Sequence, residues 1–421
     1  MGSELILYDI DPGALNLMEK VVKKYLEERK GELKVTSTTH LEEAVEDVDF
    51  AIITIRVGGI GALRAVIEIP LREGVLQTVG DTVGPSGILK GLLEIPAILS
   101  IAEKLKDLSP KAIILNFTNP MTPICRAVVK GVGMNIVGLC HGVHHIRHLA
   151  SKLLGLEFDE IWVKAAGINH LTWTLELKHS SEDMLERFAK ELYNEEKIDV
   201  LRSHPYLMGR ELHSTYGLPP TLSDRHVCEF FPYLYTWYNT PEYREIIERT
   251  SGYIDYKNKC VRREVFKRKI NEESRLLRYA RGEEKLDLRP SNEYALDIIS
   301  SMKSGGEREL LAVNIPNRDY IKGIPQGYVV EIPGRVSKGG VEGVSVGSLP
   351  RSITAILRHH LEKFELLVDG ILERDKSLVL QAMALDPLTP SPEKAKRILE
   401  RFLQEVPKIL PASLLDNYSR L

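Results

Sequence analysis

Four short apolar runs mark the first half of the chain: Glu4–Asp9, Asp49–Ile55, Lys111–Asn116 and Asn135–Cys140. Each is close to continuously hydrophobic, the pattern of a strand buried on both faces; a strand with one wet face alternates instead. The stretches between them carry helical spacing. Asp11-Pro12 opens one helix that runs to about Glu28, with an aspartate suited to cap free amides and a proline suited to the first turn. Strands alternating with helices predict an α/β fold built on a Rossmann-like, doubly wound parallel sheet. The second half is less regular. Residues 180–310 read as helices with aromatic-rich interruptions, 312–350 hold strand-like pieces such as Gly327–Ile332 broken by Pro and Gly, and a long helix is predicted over Ser352–Arg374. The expected organisation is a Rossmann-like domain over 1–165 packed on a C-terminal α+β domain over 166–421, with a ligand site between them.

Charge removes several function classes. Among 421 residues, 56 Lys and Arg face 59 Asp and Glu, a net charge of −3, which gives no electrostatic case for nucleic acid or an anionic membrane as partner. Arg262-Arg263 and Lys267-Arg268-Lys269 are basic, but acidic residues flank them, as on a solvated helix face. No uninterrupted apolar run approaches the roughly 18 residues of a membrane span, and no signal-peptide pattern opens the chain. Cys125, Cys140, Cys228 and Cys260 are too far apart for a zinc ribbon or a redox pair. Free thiols in a cytoplasmic protein are the expectation.

Candidate chemistry gathers where the strands end, which is where doubly wound sheets bind ligands. Those ends carry Asp9, Arg56-Val57-Gly58-Gly59, Asn116-Phe117-Thr118-Asn119-Pro120 and Cys140-His141-Gly142. Asp9 stands where a dinucleotide fold places an acid for a ribose diol; the plainer reading is a turn aspartate before a helix. Cys140 and His170 could hold a divalent ion between a thiolate and an imidazole, or be a buried thiol and a hydrogen-bonded histidine. His141, His144, His145 and His148 recur at helical spacing and would share one face, as a rival metal site, an anion site, or a partly exposed first turn. In Ser223-Asp224-Arg225-His226, Asp224 is either a carboxylate poised for proton abstraction or one half of a salt bridge with its neighbour.

Taken together these segments resemble glycoside hydrolase family 4. The matching stretches are Leu7–Asp11, Ile55–Gly59, Gly80-Asp81-Thr82-Val83-Gly84-Pro85-Ser86-Gly87, Asn116–Met121, Gly138–His141, Gly167–His170, Ser223–His226, Asn314–Asn317 and Val329–Pro333. No one stretch is decisive; their order along nearly the whole chain is specific. The resemblance implies an exception to two-carboxylate hydrolysis. A hydride leaves carbon 3 of the sugar for NAD, a base takes the carbon 2 proton, the aglycone departs from carbon 1, water adds, and the hydride returns. A divalent metal, usually Mn2+, steadies the enolate. Carried over, Cys140 and His170 are the expected metal ligands and Asp224 the base. Where some members have an acid after the ligand cysteine, this chain has His141, the candidate general acid. Asp9, Arg56 and Asn116 are the expected cofactor contacts, and Asn119, Asn169 and Arg225 the expected substrate contacts.

The Cys-His pairing and Gly-Asp-Thr-Val-Gly-Pro look like the branch acting on unphosphorylated alpha-glycosides or alpha-uronides. The alternatives are a 6-phospho-glycosidase of the same family, an NAD-dependent 2-hydroxyacid dehydrogenase, and an inactive truncated paralogue. A small carbohydrate substrate and a homodimer or homotetramer are expected. The strand and G-x-G turn that usually precede the ribose acid are not found ahead of Asp9; Gly58-Gly59-Ile60-Gly61 follows a later strand. The sequence is therefore expected to start inside a longer natural protein, and as written to bind NAD weakly and to be marginally stable.

Overall fold

The computed structural model describes residues 3–252, 254–286 and 293–408. All four apolar runs form strands: β1 (Glu4–Tyr8), β3 (Phe50–Ile53), β4 (Ile113–Asn116) and β5 (Ile136–Gly138), with β2 (Lys34–Thr38) between the first two. Asp11 caps the helix Pro12–Glu28, its side chain accepting from the amides of Gly13 and Ala14.

The strands do not form one parallel sheet. Among the described residues β1 pairs only with β2, in parallel, from Glu4↔Lys34 to Tyr8↔Thr38. β3, β4 and β5 are parallel to one another and open a nine-stranded sheet that continues through Arg308–Pro316, Val329–Ser337, β6 (Ile161–Ile168), β7 (Leu171–His179) and Glu182–Asp183, with Gly340–Gly343 on Val329–Ser337. Every pairing beyond β5 on this path is antiparallel. Residues 165 and 166, where the sequence suggested a boundary, lie inside β6, and one hydrophobic cluster contains residues from both halves.

The C-terminal helices complete that cluster over the N-terminal ones. Arg351–Leu372 packs on Met121–Ala127, and Pro392–Glu405 packs on Gly59–Arg72 and Gly84–Leu108. Arg126 clamps the first contact with a fork onto Glu365, 2.6 and 3.0 Å. Gly84–Leu108 is long and apolar enough to cross a bilayer, yet 78% of its most apolar window is buried within the protein. It serves as a core helix around which the others are arranged.

Because the last helix belongs to the common core, damage there should be felt throughout. Phe402 is 1% exposed, and Phe402→Ala should cost about 3–5 kcal/mol. Tryptophan fluorescence and far-UV circular dichroism should report one shared drop in the unfolding midpoint; a shift in one probe alone would mean that the halves unfold separately.

Candidate active site

Asp81 lies on the loop between the helices Gly59–Arg72 and Gly84–Leu108. Gly80 and Gly84 flank it in left-handed backbone, φ 70° and 72°, which glycine adopts without strain. A Cβ on Gly80 would lie 2.9 Å from that of Ser86, so the turn is tight as well as left-handed. The Thr82 hydroxyl bonds Asp81 Oδ1 at 2.7 Å and His170 Nδ1 at 2.8 Å. A hydroxyl has one proton, and the carboxylate can only accept. Thr82 therefore donates to Asp81 and accepts from His170 Nδ1–H, which leaves the His170 Nε2 lone pair available as a ligand.

His170 owes its position to a tight hairpin. Ile168 pairs with Leu171, so Asn169 and His170 alone connect β6 to β7. His170 has φ 67°, a conformation uncommon outside glycine that concentrates at functional sites. Gly167 makes room, since a Cβ there would fall 2.2 Å from the Leu171 carbonyl oxygen.

The third member comes from the short helix Asp224–Val227. The His226 ring centroid is 4.4 Å from that of His170, and ligand-capable atoms of Asp81, His170 and His226 lie within 4.8 Å of one another. Burial pushes both imidazoles down, His226 well below its usual value, so both are neutral ligands at pH 7. Burial pushes the Asp81 carboxyl up, but the attraction of His170 and His226 in their protonated forms and the Thr82 hydrogen bond outweigh it and hold the group below its ordinary value. Two imidazoles and a carboxylate with open positions suit a divalent transition metal. Buried side-chain oxygens of Asn119 and Asn169 without a protein partner point the same way.

Most of the residues singled out from sequence lie around this cluster. Asn119 Nδ2 is 3.4 Å from Asp81 Oδ2. Asn169 Nδ2 donates to Glu331 Oε2 at 2.9 Å, and Asn314 Nδ2 donates to the same oxygen at 2.8 Å. A row crosses the sheet here, Gly138 to Asn314 to Glu331 to Gly167, and it leads to Cys140 at one end and to Asn169 at the other. Burial, then the Glu331 carboxylate, hold the Cys140 thiol far above its usual range; a thiolate there needs a compensating cation. Cys140 is not part of the cluster of ligand-capable atoms found among the described residues.

Asp224 is fully buried and accepts from the Gly209 amide at 2.8 Å, at the start of the helix Leu207–Tyr216. Burial pushes its carboxyl up to about 7, against the pull of the Gly209, Met208 and Leu207 amides. Its Oδ2 is buried without a partner. Arg225 directs its guanidinium toward Gly252. Asn116 is turned inward, with its amide donating to the Thr118 carbonyl (2.9 Å) and its oxygen accepting from the Thr118 amide (3.1 Å), so it shapes the Asn119 loop. Asp9 and Arg56 are exposed beyond β1 and β3; Asp9 Oδ1 accepts from the Asp11 amide at 2.9 Å.

A cavity of about 500 Å³ borders the cluster at His226 and is lined by His141, His144, His145, His148 and Glu293. The four histidines that share helical spacing do share one wall. Burial pushes His145 down to about 4, whereas a hydrogen bond to Glu293, 2.9 Å from Nδ1, raises His141 above its ordinary value despite partial burial. Sequence reading gave no role to Asp81, His226, Glu293 or Glu331. Asp81, His226 and Glu331 stood inside quoted segments, where their proximity was invisible; nothing in the sequence marks Glu293.

Residues 1–156 match the profile of the family 4 glycosyl hydrolases and residues 165–389 that of the family 4 glycosyl hydrolase C-terminal domain. An alpha-galactosidase of Bacillus subtilis (strain 168) is 29% identical over 403 residues, 94% of this chain and 89% of that protein. An alpha-galacturonidase of Thermoanaerobacterium saccharolyticum is 30% identical over 427 residues, 96% of this chain and 90% of that protein. Among solved structures, the putative glucosidase lplD from Bacillus subtilis superimposes with a TM-score of 0.81 at 26% identity, covering 96% of this chain and 93% of that one. With both profiles matched in order along one polypeptide, the chain belongs to family 4 of the glycosyl hydrolases.

Proposed function

We propose that this protein cleaves the O-glycosidic bond of an unphosphorylated alpha-glycoside or alpha-uronide by oxidation at carbon 3, elimination, water addition and re-reduction, with NAD and a divalent metal such as Mn2+. The observation that carries the reading is the Asp81–His170–His226 cluster beside a histidine-lined cavity, in a chain that matches this family over most of its length. When bound, NAD supplies a reversible hydride acceptor and the metal a Lewis acid.

The chain's own groups divide the remaining work. Asp81, His170 and His226 hold the metal, with Cys140 a further ligand once its proton is displaced. Asp9 meets the ribose of NAD, and Arg56 with the uncapped start of the helix Gly59–Arg72 meets its phosphates. Asn119 and Asn169 offer buried oxygens to sugar hydroxyls. Asp224 takes the carbon 2 proton: a carboxyl near pH 7 with one unpartnered oxygen is matched to that task. His141, whose hold on its proton Glu293 strengthens, delivers a proton to the leaving oxygen. Arg225 adds positive charge near His170 and His226. The relatives at 29% and 30% identity are named alpha-galactosidase and alpha-galacturonidase, so the 6-phospho-glycosidase reading is the weaker one. Free thiols support a cytoplasmic setting, and a homodimer or homotetramer is part of the proposal.

A panel of nitrophenyl alpha- and beta-glycosides, uronides and 6-phosphates, assayed with Mn2+, NAD and a reductant, tests the reading. Turnover of an unphosphorylated alpha-substrate without net NADH is expected. Preference for a 6-phosphate would overturn the substrate class, and stoichiometric NADH from a hydroxyacid would make the protein a dehydrogenase. For the base, Asp224→Asn should lower kcat by several orders of magnitude with NAD and metal binding retained, and wild-type turnover in heavy water should place deuterium on carbon 2 of the product. A variant that loses only stability would reduce Asp224 to a helix cap. For the acid, His141 must be protonated to act, so activity falls as pH rises through its pKa. Glu293 raises that pKa; in Glu293→Gln the alkaline limb of kcat against pH should move to lower pH, with an unmoved limb excluding His141.

A further inference from the structure

The loop bearing Asp81 is gripped on both sides by buried carboxylates from the other half of the chain. Glu229, 2% exposed, accepts three consecutive backbone amides on Oε1: Thr78 at 2.5 Å, Val79 at 2.8 Å and Gly80 at 3.0 Å. Its Oε2 lies 3.3 Å from the Gly80 amide as well. Beyond Asp81, the Gly84 amide donates to Asp386 Oδ2 at 2.9 Å, and Asp386 is also 2% exposed. The two grips are joined behind the loop. Lys363, fully buried, reaches Asp386 Oδ2 at 2.5 Å and His360 Nδ1 at 3.1 Å. Burial holds His360 well below its usual value, so it is neutral. Its Nδ1 accepts from the ammonium and its Nε2–H donates to the Phe230 carbonyl at 3.0 Å, one residue from Glu229.

We infer that Glu229 and Asp386 are positioning residues that fix the Asp81 carboxylate for the metal, through backbone amides on either side of it. Burying a carboxylate is costly unless its oxygens are satisfied. Glu229 is satisfied by the loop's own amides, so carboxylate and loop conformation depend on each other. Asp386 has Lys363 as its counter-charge and adds the second anchor. Between the anchors Asp81 has Thr82 and Asn119 as its own side-chain partners, and the second grip keeps the loop from pivoting about the first. The inference rests on Asp81, His170 and His226 being the metal site.

The test uses the full chain and reads Mn2+ dissociation constants from the electron paramagnetic resonance signal of free Mn2+, with unfolding midpoints measured in parallel. Asp81→Asn calibrates the site. Glu229→Ala should weaken Mn2+ binding about 10- to 100-fold, the range found when a residue supporting a metal ligand is removed. Glu229→Gln keeps an acceptor oxygen for the amides and should recover part of that loss; Asp386→Asn should weaken binding severalfold. Glu365→Gln, which breaks the Arg126 pair elsewhere, should lower the midpoint and leave Mn2+ affinity unchanged. If Asp81→Asn weakens binding while Glu229→Ala, Glu229→Gln and Asp386→Asn do not, the positioning role is wrong and the metal site stands. If Glu365→Gln weakens binding as much as they do, general loosening explains the effect and the positioning role is again wrong. If Asp81→Asn itself has no effect, the metal assignment fails and the inference with it. Should Glu229→Ala not fold, the Glu229→Gln and Asp386→Asn affinities decide alone.

Discussion

A carboxylate in the middle of the sheet governs how the site is assembled. Glu331 is 1% exposed and receives the side-chain amides of Asn169 and Asn314 on one oxygen, so it joins the β6–β7 turn to the two strands that follow β5 in the sheet. Burial pushes it up to about 7, with the two asparagines pulling back. An ordinary core would fill this position with an aliphatic side chain, because a half-satisfied polar network is worse than none. Here the network fixes Asn169, and through the chain its neighbour His170, relative to the β5 end that carries Cys140. Removing Glu331 would strand the buried Asn169 amide donor and leave that of Asn314 with the Gly138 carbonyl at 3.4 Å.

The strand skeleton was legible because it rests on local pattern. Continuous apolar runs gave β1, β3, β4 and β5, and Asp11-Pro12 gave the start of the first helix to the residue. What could not be read was pairing. No local signal says that β1 and β2 form a pair of their own, or that strands from beyond residue 300 join β5, since edge choice is set by long-range packing and turn geometry. The site divides in the same way. Strand-end residues such as Asn119, Cys140 and His170 stood out by their chemistry. Asp81 and His226 acquire meaning only when a loop and a short helix far apart in sequence meet at His170, and Glu293 and Glu331 act through long-range contacts that no spacing rule encodes.

The two halves cannot be assigned separate tasks. Asp81 comes from the N-terminal half, His170 and His226 from the other, and the helices that cover the N-terminal core arrive last in the chain. Placing a site between interlocked halves has a mechanical advantage: neither half can relax without moving members of the cluster on both sides, and rigidity of this kind is what an arrangement of charges needs in order to stay organised through a reaction.

The turn at His170 has an evolutionary corollary. A left-handed conformation is held by a residue whose Cβ disfavours it, and glycine in its place would relieve that strain while removing the imidazole. A descendant of this gene released from its chemistry would therefore be free to drift to glycine at this position, with the hairpin intact and the lost packing of the imidazole offset in part by the relieved strain. The identity of one turn residue in a newly sequenced relative would then distinguish a lineage still selected for turnover from one selected only to fold.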